Sequence, residues 1–446
     1  MNDQELDPIA VDKDISRGAS ALRGWRRLLR TDVEQAAQEA WFDGARSVTT
    51  RTSFRWACSL GSGDPLREPL RRWIYVLAVW RIAQPFVARV ERMRQACRIR
   101  LEDPEVAVAS CRDILHRALA DPIPERKGRW IDALGKHAGA VASAEKDLAA
   151  AVDEISSRLG VADPRELCVA CEPDVVVEQA RELLRRTDDL ARELFAPART
   201  FAGLLERLVA RDVPGIWPAR LTAGWLGDLF RKTALLEGVA IDLGPLPPTI
   251  GASSFMRGLG RFGAAYARAA TERSGLFVLH NDAAEGHPQR RGALFASLLC
   301  DPVFLRKKLG FSREVSQSVS RALARTALAA ARLEATRCTV ELAKAPGSEV
   351  QEAVEAAFWV PVPRSLSGTL PRPRQGALSR LAATLRTAVD REELVQRFDE
   401  DWFDNPRAIA TLREEDAGPR RAAVSSAELS ESVRRFAGAL ERLASG

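Results

Sequence analysis

Four histidines, seven cysteines and one run of closely spaced glycines are the places where this 446-residue sequence could do chemistry. The histidines are His116, His137, His280 and His287, and no two stand in an HExxH arrangement. His280-Asn-Asp282-Ala-Ala-Glu285-Gly-His287 puts two imidazoles and two carboxylates within eight residues. That donor set suits a divalent metal, and it equally suits an exposed polar loop. Cys168-Val-Ala-Cys171 is a lone CxxC without the second pair or nearby histidine of a zinc site. The odd, irregularly spaced cysteines read as thiols in a reducing compartment rather than a disulfide frame. There is no GxSxG nucleophile elbow. Gly258-Leu-Gly260-Arg-Phe-Gly263 spells GxGxxG. It sits within a helical pattern, however, whereas a dinucleotide loop must follow a strand. These glycines read instead as a place where another backbone comes close.

The elements that would position these residues are helices. Leu22, Trp25, Leu28, Leu29, Val33, Ala36, Ala37, Ala40 and Trp41 form one apolar stripe at helical spacing. A long helix is expected around Leu70–Arg100, and further helices over 125–160, 174–212, 312–345 and 376–398. Asp103-Pro104, Asp163-Pro164, Asp301-Pro302 and Asn405-Pro406 each put an N-cap side chain before a proline at the first helical position. Ser425 and Glu428 form a capping box. Strand signals are confined to Gly275–His280 and Val239–Leu243. Pro and Gly punctuate 213–218, 243–252 and 361–376. The expectation is a mainly α protein with at most a few short strands. Its expected parts are a mobile tail over 1–16, an N-terminal helical domain over 17–212 and a C-terminal helical domain over 213–446. Trp217, Trp225, Phe230, Trp359 and Trp402 read as core fillers.

Basic residues number 66 against 60 acidic, a net charge of +6, and all but eight of the basic residues are arginine. Acids interleave with bases almost everywhere, which argues against the clustered basic face that nucleic acid needs. No apolar run reaches the ~18 residues of a membrane-spanning helix. The polar N-terminus lacks the basic and apolar regions of a secretory signal, so a cytoplasmic location is expected.

The frame Gly260-Arg261-Phe262-Gly263-Ala264-Ala265 superposes on the HEFGHA string of a zinc-peptidase helix, sharing Phe262, Gly263 and Ala265. Counting onward from Ala264 to the third metal ligand lands on Gln289. Counting back from Asp301-Pro302 lands there too. Near the C-terminus the chain reads Leu394-Val-Gln-Arg-Phe398-Asp-Glu-Asp-Trp402-Phe-Asp-Asn405-Pro406-Arg-Ala-Ile409-Ala-Thr-Leu412-Arg-Glu414. On these strings, residues 217–310 and 376–416 resemble the C-terminal half of the thimet-oligopeptidase/oligoendopeptidase family of zinc metallopeptidases. The resemblance implies a multi-helix fold with a central groove that takes extended peptides. Where the family carries a Tyr- and His-bearing loop for the tetrahedral intermediate, Phe358–Gly376 contains neither residue.

The resemblance also implies a lost reaction. Zinc hydrolysis needs three fixed ligands and a general base. At the matched positions Gly260 and Ala264 have no donor atom, Gln289 is a poor neutral ligand, and Arg261 stays protonated. The expectation is a pseudoenzyme that uses no cofactor and binds a peptide or partner protein at a degenerate site of Gly260, Arg261, Ala264 and Gln289. There Arg261 could hold a carboxylate in bidentate fashion or simply pair with a neighbouring acid. Two other readings stay open. One is a metal-dependent hydrolase with a relocated site at His280, Asp282, Glu285 and His287. The other is an Arg-rich helical adaptor for nucleic acid or an acidic partner.

Overall fold

A computed structural model describes residues 6–38, 41–100, 106–109, 111, 114, 123–169, 171–201, 204, 221, 225–226, 228–229, 252–271, 275–281, 283–343, 347–362, 376–418 and 424–445. Among the described residues the protein is mainly α. The helices are α1 (Pro8–Thr31), α2 (Val33–Gln38), α3 (Arg51–Ser59), α4 (Arg67–Gln95), α5 (Pro124–Leu159), α6 (Pro173–Arg186), α7 (Asp188–Phe195) and α8 (Ala252–Ala270). They continue with α9 (Phe277–His280), α10 (Gly286–Ser297), α11 (Pro302–Leu309), α12 (Arg313–Ala343), α13 (Gly347–Phe358), α14 (Ala377–Phe398), α15 (Pro406–Ala417) and α16 (Ser426–Ser445). Cys97–Arg100 (β1) and Val106–Ala109 (β2) pair antiparallel, Cys97 opposite Ala109.

The caps read from sequence hold where the structure describes them. Asp163, Asp301 and Asn405 each accept a hydrogen bond from the backbone N–H two residues on. Ser425 and Glu428 exchange reciprocal bonds at the start of α16. Asp103-Pro104, Val239–Leu243 and position 213 lie outside the described residues.

Three expectations are corrected. The polar N-terminus is helical from Pro8 rather than a tail up to residue 16. Asp7-Pro8 is one more cap-and-proline signal, and Val11, Ile15 and Ala19 bury one face below it. The long helix α4 stops at Gln95, where the chain turns into β1. Gly275–His280 is not a strand. Asp12 of α1 accepts from the backbone N–H groups of Phe277 and Val278, both at 2.9 Å, and so starts the single turn α9.

Among the described residues three large apolar cores, and a small fourth around Ile114 and Leu134, hold the helices together. In the first, Trp25 meets Phe42 and Trp80 edge-on, and its indole N–H donates to the Ala36 carbonyl at 3.0 Å. The largest joins α6 and α7 to α12, α13, α14 and α16, so Val169–Leu204 and Ala324–Leu440 share one interior. The third gathers α8, α10, α11 and α15 around Phe262, Phe295 and Trp402. Trp402 fills that core completely, while Trp225 and Trp359 are half-buried at the edges of theirs.

Arg332 is the largest charged group inside, 1% exposed. It donates to the Ala357 and Leu184 carbonyls, to the Thr187 hydroxyl and to Asp188, at 2.7–3.1 Å. It thereby ties the α6–α7 corner to the end of α13. Replacing Arg332 with Leu strands several buried acceptors at about 1–3 kcal/mol each. Urea titration of R332L is expected to show a loss of roughly 3 kcal/mol or more, with α-helical circular dichroism retained below the transition.

Candidate functional site at the paired helices

Helices α8 and α10 run antiparallel and touch backbone to backbone. A methyl group built on Gly263 would sit 2.5 Å from the Arg291 carbonyl oxygen. One built on Gly292 would sit 2.7 Å from the Gly260 carbonyl oxygen. No side chain fits at either point, which is why glycine stands there. The aromatic neighbours complete the seam: Phe262 stacks on Tyr266 and leans on Phe295. The GxGxxG letters thus serve helix packing.

Two of the four matched positions, Gly260 and Ala264, lie at this seam. A side chain at Gly260 would meet the Gly292 carbonyl at 3.4 Å and the Ala296 methyl at 3.5 Å. The Ala264 methyl faces Gly292. Gln289 stands one turn before Gly292 on α10. Its amide nitrogen lies 3.9 Å from where a methyl on Gly376, at the start of α14, would be. Its amide oxygen is shielded from solvent and has no hydrogen-bond partner among the described residues. Gly260, Arg261, Ala264, Gln289, Ala293 and Ala296 are each half-buried. The small residues Gly260, Ala264 and Ala296 meet across the contact of the two helices, which also carry Arg261 and Gln289.

Sequence reasoning missed the charges that anchor α10. His287 and Arg291, one turn apart, share one face and converge on Asp416 of α15. The imidazole Nε2 is 2.7 Å from Asp416 Oδ1, and the Arg291 guanidinium donates to both carboxylate oxygens. Asp416 is 0% exposed and Arg291 6%. Burial alone would raise the Asp416 carboxyl; the His287 hydrogen bond and the Arg291 charge outweigh it and hold it below the ordinary carboxylate range. Arg290, the adjacent residue round the helix, forms a two-point pair with Asp390 of α14 at 2.6 and 2.7 Å. Tyr266 is fully buried nearby. Burial and then Asp416 push its phenol up. No sequence signal announced these pairs, because their partners stand 100 residues or more apart.

The 280–287 cluster is divided. Glu285 turns to Arg26 of α1 at 3.2 Å, His287 turns to Asp416, and Asp282 lies outside the described residues. Among the described residues, no three His, Cys, Asp or Glu side chains gather at one point. Nor does Cys300 offer a nucleophile, because burial pushes its thiol up to about 12. No disulfide joins the described cysteines Cys58, Cys111, Cys168, Cys171, Cys300 and Cys338. No protein-family model matches the chain, and no curated protein does.

Two measurements check the seam. Gly263→Ala forces α8 from α10 and is expected to cost about 1–3 kcal/mol in urea unfolding. Gly139→Ala on α5, with nothing within 4 Å of the added methyl, is expected to stabilise by about 0.5–1 kcal/mol. The second prediction concerns acid. Asp416 has a depressed folded-state pKa, so its contribution is complete above the unfolded value of ~3.9 and is lost as pH falls through the folded value. Asp416→Asn leaves buried Arg291 with only the more exposed Glu415, 3.3 Å away, as its counter-charge, at about 3 kcal/mol near neutrality. The gap between the two proteins is expected to narrow below about pH 4.

Proposed function

We propose that this protein is a non-catalytic binder of an extended peptide or peptide-like segment of a partner protein, on a helical scaffold derived from a zinc peptidase. The observation that carries this reading is the buried amide oxygen of Gln289, unpaired among the described residues, on the same helix pair as half-buried Gly260, Ala264, Ala293 and Ala296. An acceptor left without a donor costs about 1–3 kcal/mol, and a backbone N–H brought to it would satisfy it. Arg261, on the same helix pair, adds a cation that suits a carboxylate.

The same positions argue against hydrolysis. Gly260 and Ala264 bring no donor atom, and the space a larger side chain would need at Gly260 is bounded by α10. The letters shared with the peptidase string, Phe262 and Gly263, are those the seam uses for packing. The letters that differ are the ones zinc chemistry requires. The adaptor reading finds less support, because arginines meet acids across the surface, as in Arg92–Glu34, Arg89–Asp147 and Arg435–Glu392.

The test uses the purified full chain, with metal analysis and fluorescence polarisation against a panel of labelled extended peptides ending in a free carboxylate. The expected result is zinc well below one per chain, no cleavage, and saturable binding that Gln289→Leu and Arg261→Glu weaken. Gln289→Leu is also expected to leave the unbound protein as stable or more stable, since it removes an unsatisfied acceptor. Stoichiometric zinc lost on mutating 260–289, or binding indifferent to both substitutions, would sink the reading.

A further inference from the structure

One stretch departs from the even mixing of acids and bases. Residues 302–333 hold seven basic side chains against one acidic, a net charge of +6 that equals the charge of the whole chain. The rest of the sequence is therefore balanced. Three of the seven are spent within the protein: Arg332 is buried with Asp188, and Lys307 and Lys308 pair with Asp401 and Asp404. Arg306 of α11 donates to the Pro302 carbonyl of its own helix at 3.3 Å. The remaining three, Arg313, Arg321 and Arg325, stand on α12. Their side chains make no hydrogen bond or ion pair among the described residues.

Helical spacing puts these three in one row. Arg313, Gln317, Arg321 and Arg325 follow one another at four-residue steps. Each stands about 6 Å beyond the last and only ~40° further round the helix, so the row is about 18 Å long. Arg313, Gln317 and Arg325 are exposed, and Arg321 is half-buried. Val319 and Leu323, on the other side of the helix, are buried in the core shared with α8, α10 and α11, which fixes the side that faces out. The one acid of the stretch, Glu314, flanks the first residue of the row and accepts from the Ser312 hydroxyl at 3.1 Å. Its charge set against the three arginines leaves the row positive.

We propose that this row is a contact surface for the phosphate backbone of double-stranded nucleic acid. A duplex carries one negative charge per ~1.7 Å of its axis, so phosphates come within reach of all three guanidiniums along the row. A guanidinium takes a phosphate through two parallel N–H bonds. The exposed Gln317 amide and Ser318 hydroxyl between the arginines are also groups that bond phosphate oxygens. Among the described residues of α12, no aromatic or large aliphatic side chain is exposed. A single strand needs an aromatic to stack on, and a membrane surface needs an apolar side chain to insert. Contacts made to phosphates alone carry no sequence preference. The row stands on a helix that takes no part in the peptide reading, so either can fail without the other.

The test is fluorescence polarisation of the full chain with a labelled mixed-sequence DNA duplex, at salt from about 50 to 200 mM. Wild type is expected to bind with an affinity that falls as roughly the 2.7th power of salt, the release of counterions from three phosphates. Arg313→Glu combined with Arg325→Glu, both at exposed positions, is expected to weaken binding at least about tenfold and to cut that exponent to about one. Arg17→Glu combined with Arg158→Glu makes the same change in net charge on α1 and α5, at side chains 61% and 69% exposed. This second pair is expected to stay within about twofold of wild type, because distant surface charges are screened. Circular dichroism checks that both variants are folded. The proposal is overturned by absence of binding at the lowest salt, or by equal weakening from the two pairs of substitutions. It is also overturned if polyglutamate or phosphatidylserine vesicles, at matched charge, displace the labelled duplex as well as unlabelled duplex does.

Discussion

At Gly263 and Gly292 two helices meet with no side chain between them, and the C-terminal half is arranged around that contact. The 2.5 and 2.7 Å approaches of would-be methyl groups mean that α8 and α10 cannot be moved apart or rotated without opening a void. Phe262, Tyr266 and Phe295 close over the contact and pass it on to Trp402 and the turn before α15. Because helix spacing is set there, every group on α10 is held in register with its partners on other helices.

That register matters because α10 is charged where it is buried. Arg290 and Arg291 leave the helix in different directions, one to Asp390 and the other to Asp416. Each pair is stable only while both partners stay aligned, since a lone buried charge is costly. Helix α10 is thus clamped between α14 and α15 by ions and against α8 by backbone. Its N-terminal end carries Glu285 to Arg26 of α1, which links the first helix of the chain to this half. Asp12, capping α9, is a second link between the same regions.

Most of the helical architecture was legible. Cap-and-proline pairs located starts at Pro164, Pro302 and Pro406, and the capping box located α16. These signals are local: each satisfies a backbone group two or three residues away. The misses were of another kind. Residues 277–280 are apolar and short, which fits a strand or a buried turn of helix equally, and Asp12, some 265 positions away, decided between them. The end of α4 was misplaced because β1 is specified by pairing with β2 rather than by its own pattern.

The candidate site divides in the same way. From the residues alone it follows that Gly260 and Ala264 lack ligand atoms, that Arg261 cannot be a base, and that the glycines suit close approach of a backbone. Those are properties of side-chain chemistry and need no neighbours. Only the tertiary structure decided that the approaching backbone is α10, that His287 and Arg291 share Asp416, and that Arg26 and Arg268, from two helices, converge on Glu285. Charge pairing depends on distance in space, and a partner more than a hundred positions away leaves no periodicity by which a sequence could reveal it.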